Sequence, residues 1–131
     1  MSDPLTFASP TIEEQFYHRI NPLLRQIALE YAEEAFQRHG WIWHITSAIR
    51  TREEDEELHG TGIHCTGRAI DVRTKDQPKR VVDDIVTKIN EEWIYDPKRP
   101  TFLVAFDKPH GSGPHCHLQV HENTGRRQSN G

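Results

Sequence analysis

Three features of this 131-residue chain predict an α+β fold, with helices packed on a small, mostly antiparallel sheet. Two long stretches carry apolar residues at helical spacing, one between Asn21 and Gly40 and one after Gln77-Pro78. Several short segments rich in aromatic and β-branched residues lie between turn signals and read as strands. No internal repeat organises the rest, so the strands and helices are expected to pack as two layers of one domain, residues 1–131.

Residues 1–10, with two prolines, read as a flexible polar lead-in. Thr11 to Glu14 has the form of a capping box, so a short helix should start at Thr11. Asn21-Pro22 supplies a cap and a first-turn proline. Leu23, Leu24, Ile27, Ala28, Tyr31, Ala32, Ala35 and Phe36 then mark one helix face as far as Gly40. Trp41 to Ile49 reads as a strand, and the acidic TREEDEELH after it as a short exposed helix. Gly67 to Arg73 alternates as a second strand. Gln77-Pro78 opens a helix with Val81, Val82, Ile85, Val86 and Ile89 on one face. Thr101 to Phe106 and Pro114 to Val120 are the third and fourth strands, parted by the loop DKPHGSGP. Residues 122–131 read as a disordered polar tail.

Composition narrows the function. A formal charge of −4 argues against a nucleic-acid partner held by phosphate neutralisation. No apolar run approaches the roughly 20 residues that cross a bilayer, so no membrane partner is expected. MSDPLTFASP lacks the basic and apolar regions of a signal peptide, which points to synthesis in a cytoplasm. Two cysteines, Cys65 and Cys116, are too few for a disulfide framework and read as free thiols. Among the nine histidines, His59, His64, His110, His115 and His117 fall in two clusters, and this is the compositional signal that points to a site.

In GIHCTGRAID, His64 and Asp71 are seven positions apart, more than about 20 Å along an extended chain, so they can share a ligand only if the chain folds back. Thr66-Gly67 offers the turn. On the following strand Ala69 and Asp71 face one way and Ile70 and Val72 the other. In PHCHLQV the same period groups His115, His117 and Gln119 on one face and Cys116, Leu118 and Val120 on the other. Imidazole nitrogen and carboxylate oxygen suit Zn²⁺, and three protein ligands with an open fourth position form a catalytic arrangement. His64 and Asp71 with either His115 or His117 would supply it.

HCTGRAID resembles the H-x-x-G-x-A-x-D signature of the D-Ala-D-Ala metallopeptidase superfamily, which includes lysostaphin-type enzymes and the hedgehog signalling domain. HCH is similar to its second signature, H-x-H, and Ser47-Ala-Ile-Arg50-Thr51 to the S-x-x-R-[ST] segment of its peptidoglycan-cleaving branch. The three motifs occur in order between Ile45 and Val120. The resemblance implies a hedgehog/DD-peptidase-like fold and Zn²⁺ held by His64, Asp71 and His117. It leaves His115 to move protons or stabilise the developing oxyanion, and makes Arg50, with Ser47 in the same motif, the substrate anchor. The chain departs from the pattern at Gly62, at Asp55 and at Pro114, which stands where several branches place a glutamate general base. Proline moves no proton, so that role falls to His115, to His110, or to no residue. The expected activity is zinc-dependent hydrolysis of a peptide bond beside a D-amino acid in peptidoglycan. It would be the work of a phage-encoded, endolysin-like protein acting on the cell wall after release or within a virion. The alternative is a non-catalytic zinc-binding virion protein of the same fold, in contact with other virion proteins.

Overall fold

The computed structural model describes residues 4–49, 67–108 and 114–127. In chain order these form β1 (Leu5–Phe7), α1 (Pro10–His18), α2 (Pro22–His39), β2 (Trp43–Ser47) and β3 (Ala69–Arg73). They continue with α3 (Lys79–Glu92), β4 (Trp93–Ile94), β5 (Ala105–Lys108), β6 (His115–Gln119) and β7 (Gly125–Arg126). A five-stranded sheet runs in the order β1-β2-β3-β6-β5, and β4 pairs with β7 in a separate two-stranded sheet. Among the described residues the β1–β2 pair is parallel and the other pairings are antiparallel. The architecture is therefore α+β with a mostly antiparallel sheet.

Local chemistry explains the helix bounds. Asn21 Oδ1 accepts hydrogen bonds from Leu23 N at 2.8 Å and Leu24 N at 3.3 Å, satisfying two donors that the helix itself cannot. Gly40 ends α2 at φ 66, a left-handed conformation that a Cβ would disfavour. The start of α1 differs from the Thr11 cap expected above. Pro10, with fixed φ and no N–H, fits the first helical position, so the helix begins there and Ser9 Oγ accepts from Ile12 N at 3.2 Å.

Both expected unstructured ends carry strands. Leu5–Phe7 pairs with β2 over Leu5↔Trp43 to Phe7↔Ile45, and Leu5 is buried. Gly125–Arg126 pairs with Trp93–Ile94, while the Arg126 guanidinium lies 4.5 Å over the Trp93 ring and 2.8 Å from Glu30 Oε1. The third strand runs from Ala105 rather than Thr101. Phe102 N bonds to Arg99 O in a turn, and Phe102 and Leu103 stay exposed. Asn90 of α3 takes both backbone polar groups of Ala105, at 3.1 and 2.7 Å, so the start of this edge strand is closed to further pairing.

The core lies between the sheet and the helices. Leu24, Ile27, Tyr31 and Ala35 of α2 and Val82, Ile85 and Ile89 of α3 meet Ile45, Ile70, Val72, Cys116 and Leu118 from the sheet. Trp41, Trp43 and Trp93 are buried with them. Gly67, at φ 72, turns the chain into β3; a Cβ there would meet Arg19 O at 3.3 Å, and Gly67 O accepts from Asn21 N. The central strands are thus anchored to the α1–α2 junction, with their other face left for the polar residues.

Candidate metal site

β3 and β6 are neighbours in the middle of the sheet, and their register sets Asp71 against His117 and Arg73 against His115. Residues directly opposite on an antiparallel pair share a face. Ile70, Val72, Cys116 and Leu118 fill the helix side, which leaves Asp71, His115, His117 and Gln119 on the other, as the period of two predicts. Asp71 and His117 are each 2% exposed, so a carboxylate and an imidazole are held out of water together. Burial on this scale requires partners. His117 Nδ1 lies 3.1 Å from Asp71 Oδ1, and His115 Nε2 lies 3.7 Å from the same oxygen.

The row extends to both sides. A bulge in β2, between Ile45 and Ser47, shifts Ser47 rather than Thr46 into register with Asp71. On β5 Phe106 pairs with His117, and the two rings stand 4.8 Å apart between centroids, tilted by 34°. Ser47, Asp71, His117 and Phe106 therefore cross four strands in one line. Cys116 sits beside both histidines in sequence but enters the core, where burial pushes its thiol pKa far up and leaves it an inert apolar filler.

Of the residues singled out in the sequence, Asp71, His115, His117 and Ser47 are brought together. His64, Arg50, His59, His110, Cys65, Asp55 and Gly62 lie outside the described residues. Two neighbours of the site were not assigned a role from sequence. Gln119 was on the histidine face by period alone, and Phe106 carried no signal, because its place depends on which strand pairs with β6.

Among the described residues no group of three or more His, Cys, Asp or Glu side chains is placed to hold a metal ion. Two of the expected ligands can nevertheless be tested against zinc. With bonds of about 2.0–2.1 Å, two donors on one tetrahedral zinc stand roughly 3.3 Å apart. His117 Nδ1 and Asp71 Oδ1, at 3.1 Å, are close to that separation, and nitrogen with anionic oxygen is a donor pair that zinc accepts. The pair fits two corners of a zinc site. No helix among the described residues is long and apolar enough to cross a membrane. Comparison with protein families, with curated proteins and with solved structures finds no match to this chain.

Proposed function

We propose that this chain is a zinc metallopeptidase that hydrolyses a peptide bond beside a D-amino acid in bacterial peptidoglycan, in a stem or cross-bridge peptide. The observation that carries the reading is the buried Asp71–His117 pair, with His115 Nε2 3.7 Å from the same carboxylate oxygen. The three motifs in order support the class of substrate by resemblance. His64, Asp71 and His117 are the proposed ligands. Zinc held there would act as a Lewis acid on the scissile carbonyl and acidify a water toward neutral pH.

The remaining steps belong to the protein's own side chains. His115, 8% exposed, can take a proton at Nε2 while Asp71 offsets the positive charge that results. Arg50 offers a planar fork of donors to a substrate carboxylate or carbonyl oxygen. Burial of Asp71 and His117 keeps bulk water from competing with the contact between His115 and Asp71. Action on the wall after release from a phage-infected cell, or from within a virion, follows from the resemblance to the wall-cleaving branch.

A second reading, a non-catalytic zinc-binding virion protein, is favoured by Pro114. It stands where a glutamate would act as base, and its carbonyl is occupied by Thr74 N at 3.3 Å. Zinc content and release of new amino groups from purified peptidoglycan test both. About one zinc per chain is expected without added metal, and an unchanged content in a His64→Ala, Asp71→Ala double variant would remove the site assignment. Fully loaded protein that releases no amino groups from walls of several chemotypes would replace the peptidase with the virion component.

A further inference from the structure

Gln119 follows His117 by two positions on the same face of β6, and none of the chemistry above uses it. Its side-chain amide spans two neighbours. Nε2 lies 2.9 Å from Leu103 O, and because a carbonyl oxygen only accepts, the NH₂ end of the amide is fixed on that side. Oε1 is thereby turned to His117 Nε2, at 3.2 Å. An amide oxygen also only accepts, so this contact is a hydrogen bond only when His117 Nε2 carries the hydrogen. Flipping the amide would set its oxygen against the Leu103 carbonyl. The backbone reinforces the arrangement, since Gln119 N donates to Val104 O at 2.8 Å and docks residue 119 on the same segment twice.

We propose that Gln119 is a positioning residue for His117, holding the ring hydrogen on Nε2 so that Nδ1, the nitrogen facing Asp71, is the one offered to a metal. A neutral imidazole can place its hydrogen on either nitrogen. Asp71 Oδ1, 3.1 Å from Nδ1, attracts that hydrogen by a charge-assisted bond, and a hydrogen on Nδ1 blocks the donor atom. Gln119 opposes this by giving Nε2–H an acceptor, while the Phe106 ring restricts the tilt of the imidazole. Partners that fix a ligand's tautomer and ring orientation tune metal affinity, typically by about 10- to 100-fold. The link to a metal rests on the zinc reading above; the hold on the ring hydrogen does not.

Nitrogen-15 NMR of the imidazole in zinc-free protein, together with zinc affinity measured against a chelating dye, tests both parts. In the wild type, Nε2 should carry a hydrogen and Nδ1 should not; a bare Nε2, or a hydrogen on Nδ1, overturns the proposal without any variant. Gln119→Leu removes both amide contacts, and should release the Nε2 hydrogen and weaken zinc binding roughly 10- to 100-fold. Gln119→Glu keeps an acceptor for Nε2–H although it cannot donate to Leu103 O, so it should restore the NMR signature and most of the affinity. A folded Gln119→Leu protein with wild-type NMR and wild-type zinc affinity sinks the inference. If the wild type binds no zinc, the metallopeptidase reading fails, and the NMR comparison alone decides the role of Gln119.

Discussion

His115 and His117 share a strand face, yet His117 brings a nitrogen to 3.1 Å from Asp71 Oδ1 while His115 stays at 3.7 Å. His117 is also the one flanked by Gln119 and Phe106. Their substitutions should therefore differ in kind. His117→Ala is expected to lose both zinc and peptidoglycan hydrolysis. His115→Ala should keep about one zinc and lose on the order of 10²-fold or more in rate, the scale of a general acid or base. Elemental analysis beside the amino-group assay separates the two. A His115→Ala protein as fast as wild type would move the proton-transfer role to His110. The faces of these side chains were legible in PHCHLQV, since a strand alternates whatever it pairs with. Their distances to Asp71 were not, because those depend on a register set 46 positions away in sequence.

β6 carries the site on one face and the core on the other, so neighbouring substitutions should act on different observables. Leu118→Ala, at a fully buried core position, is expected to cost about 2–5 kcal/mol in denaturant unfolding, with no direct effect on zinc ligands. α2 and α3 are tied at the surface by Asp84, which meets His39 Nε2 at 2.7 Å and Arg38 at 3.2 Å. The His39 hydrogen bond, opposed by desolvation and aided by the charges of Arg38, His39 and Lys88, holds the Asp84 carboxyl below its ordinary 3.8. A depressed folded-state value stabilises above the unfolded value, and the gain is lost as pH falls through the folded one. The wild type should thus melt above Asp84→Asn near pH 6, and the gap should close on acidification below 3.8. A gap that persists at low pH would mean the asparagine acts through packing, not charge.

At the scale of the whole molecule, two of the proposed ligands, Asp71 and His117, come from β3 and β6, which are distant in sequence and neighbours in the sheet. Zinc should therefore bind the native state alone and raise its melting temperature. The gain is about 2.7 kcal/mol when free zinc is one hundred times the dissociation constant, and a chelator should reverse it. Equal melting of loaded and chelated protein, with zinc shown to leave, would place the metal away from the β3–β6 pair. The closed ends of the fold support the same cooperative unit. β1 extends the sheet beside β2, and Arg126 links β7 to Glu30 of α2 while covering Trp93.

By itself the sequence determined the bounds of α2 and the two faces of β3 and β6. Asn21, Pro22 and Gly40 act within one helical turn, and alternation needs only the strand's own backbone. Tertiary structure decided what depends on distant pairing. Leu5-Thr6-Phe7 is too short to carry a period and becomes a strand because β2 offers it hydrogen bonds. Gly125-Arg126 has a polar composition and is ordered by Trp93 and Glu30. The bulge that sets Ser47 beside Asp71, and the register that sets Asp71 against His117 and His117 against Phe106, are choices among alternative ladders. Those ladders satisfy similar backbone groups, and they are distinguished only when Ile70, Val72, Cys116 and Leu118 must all reach the core at once.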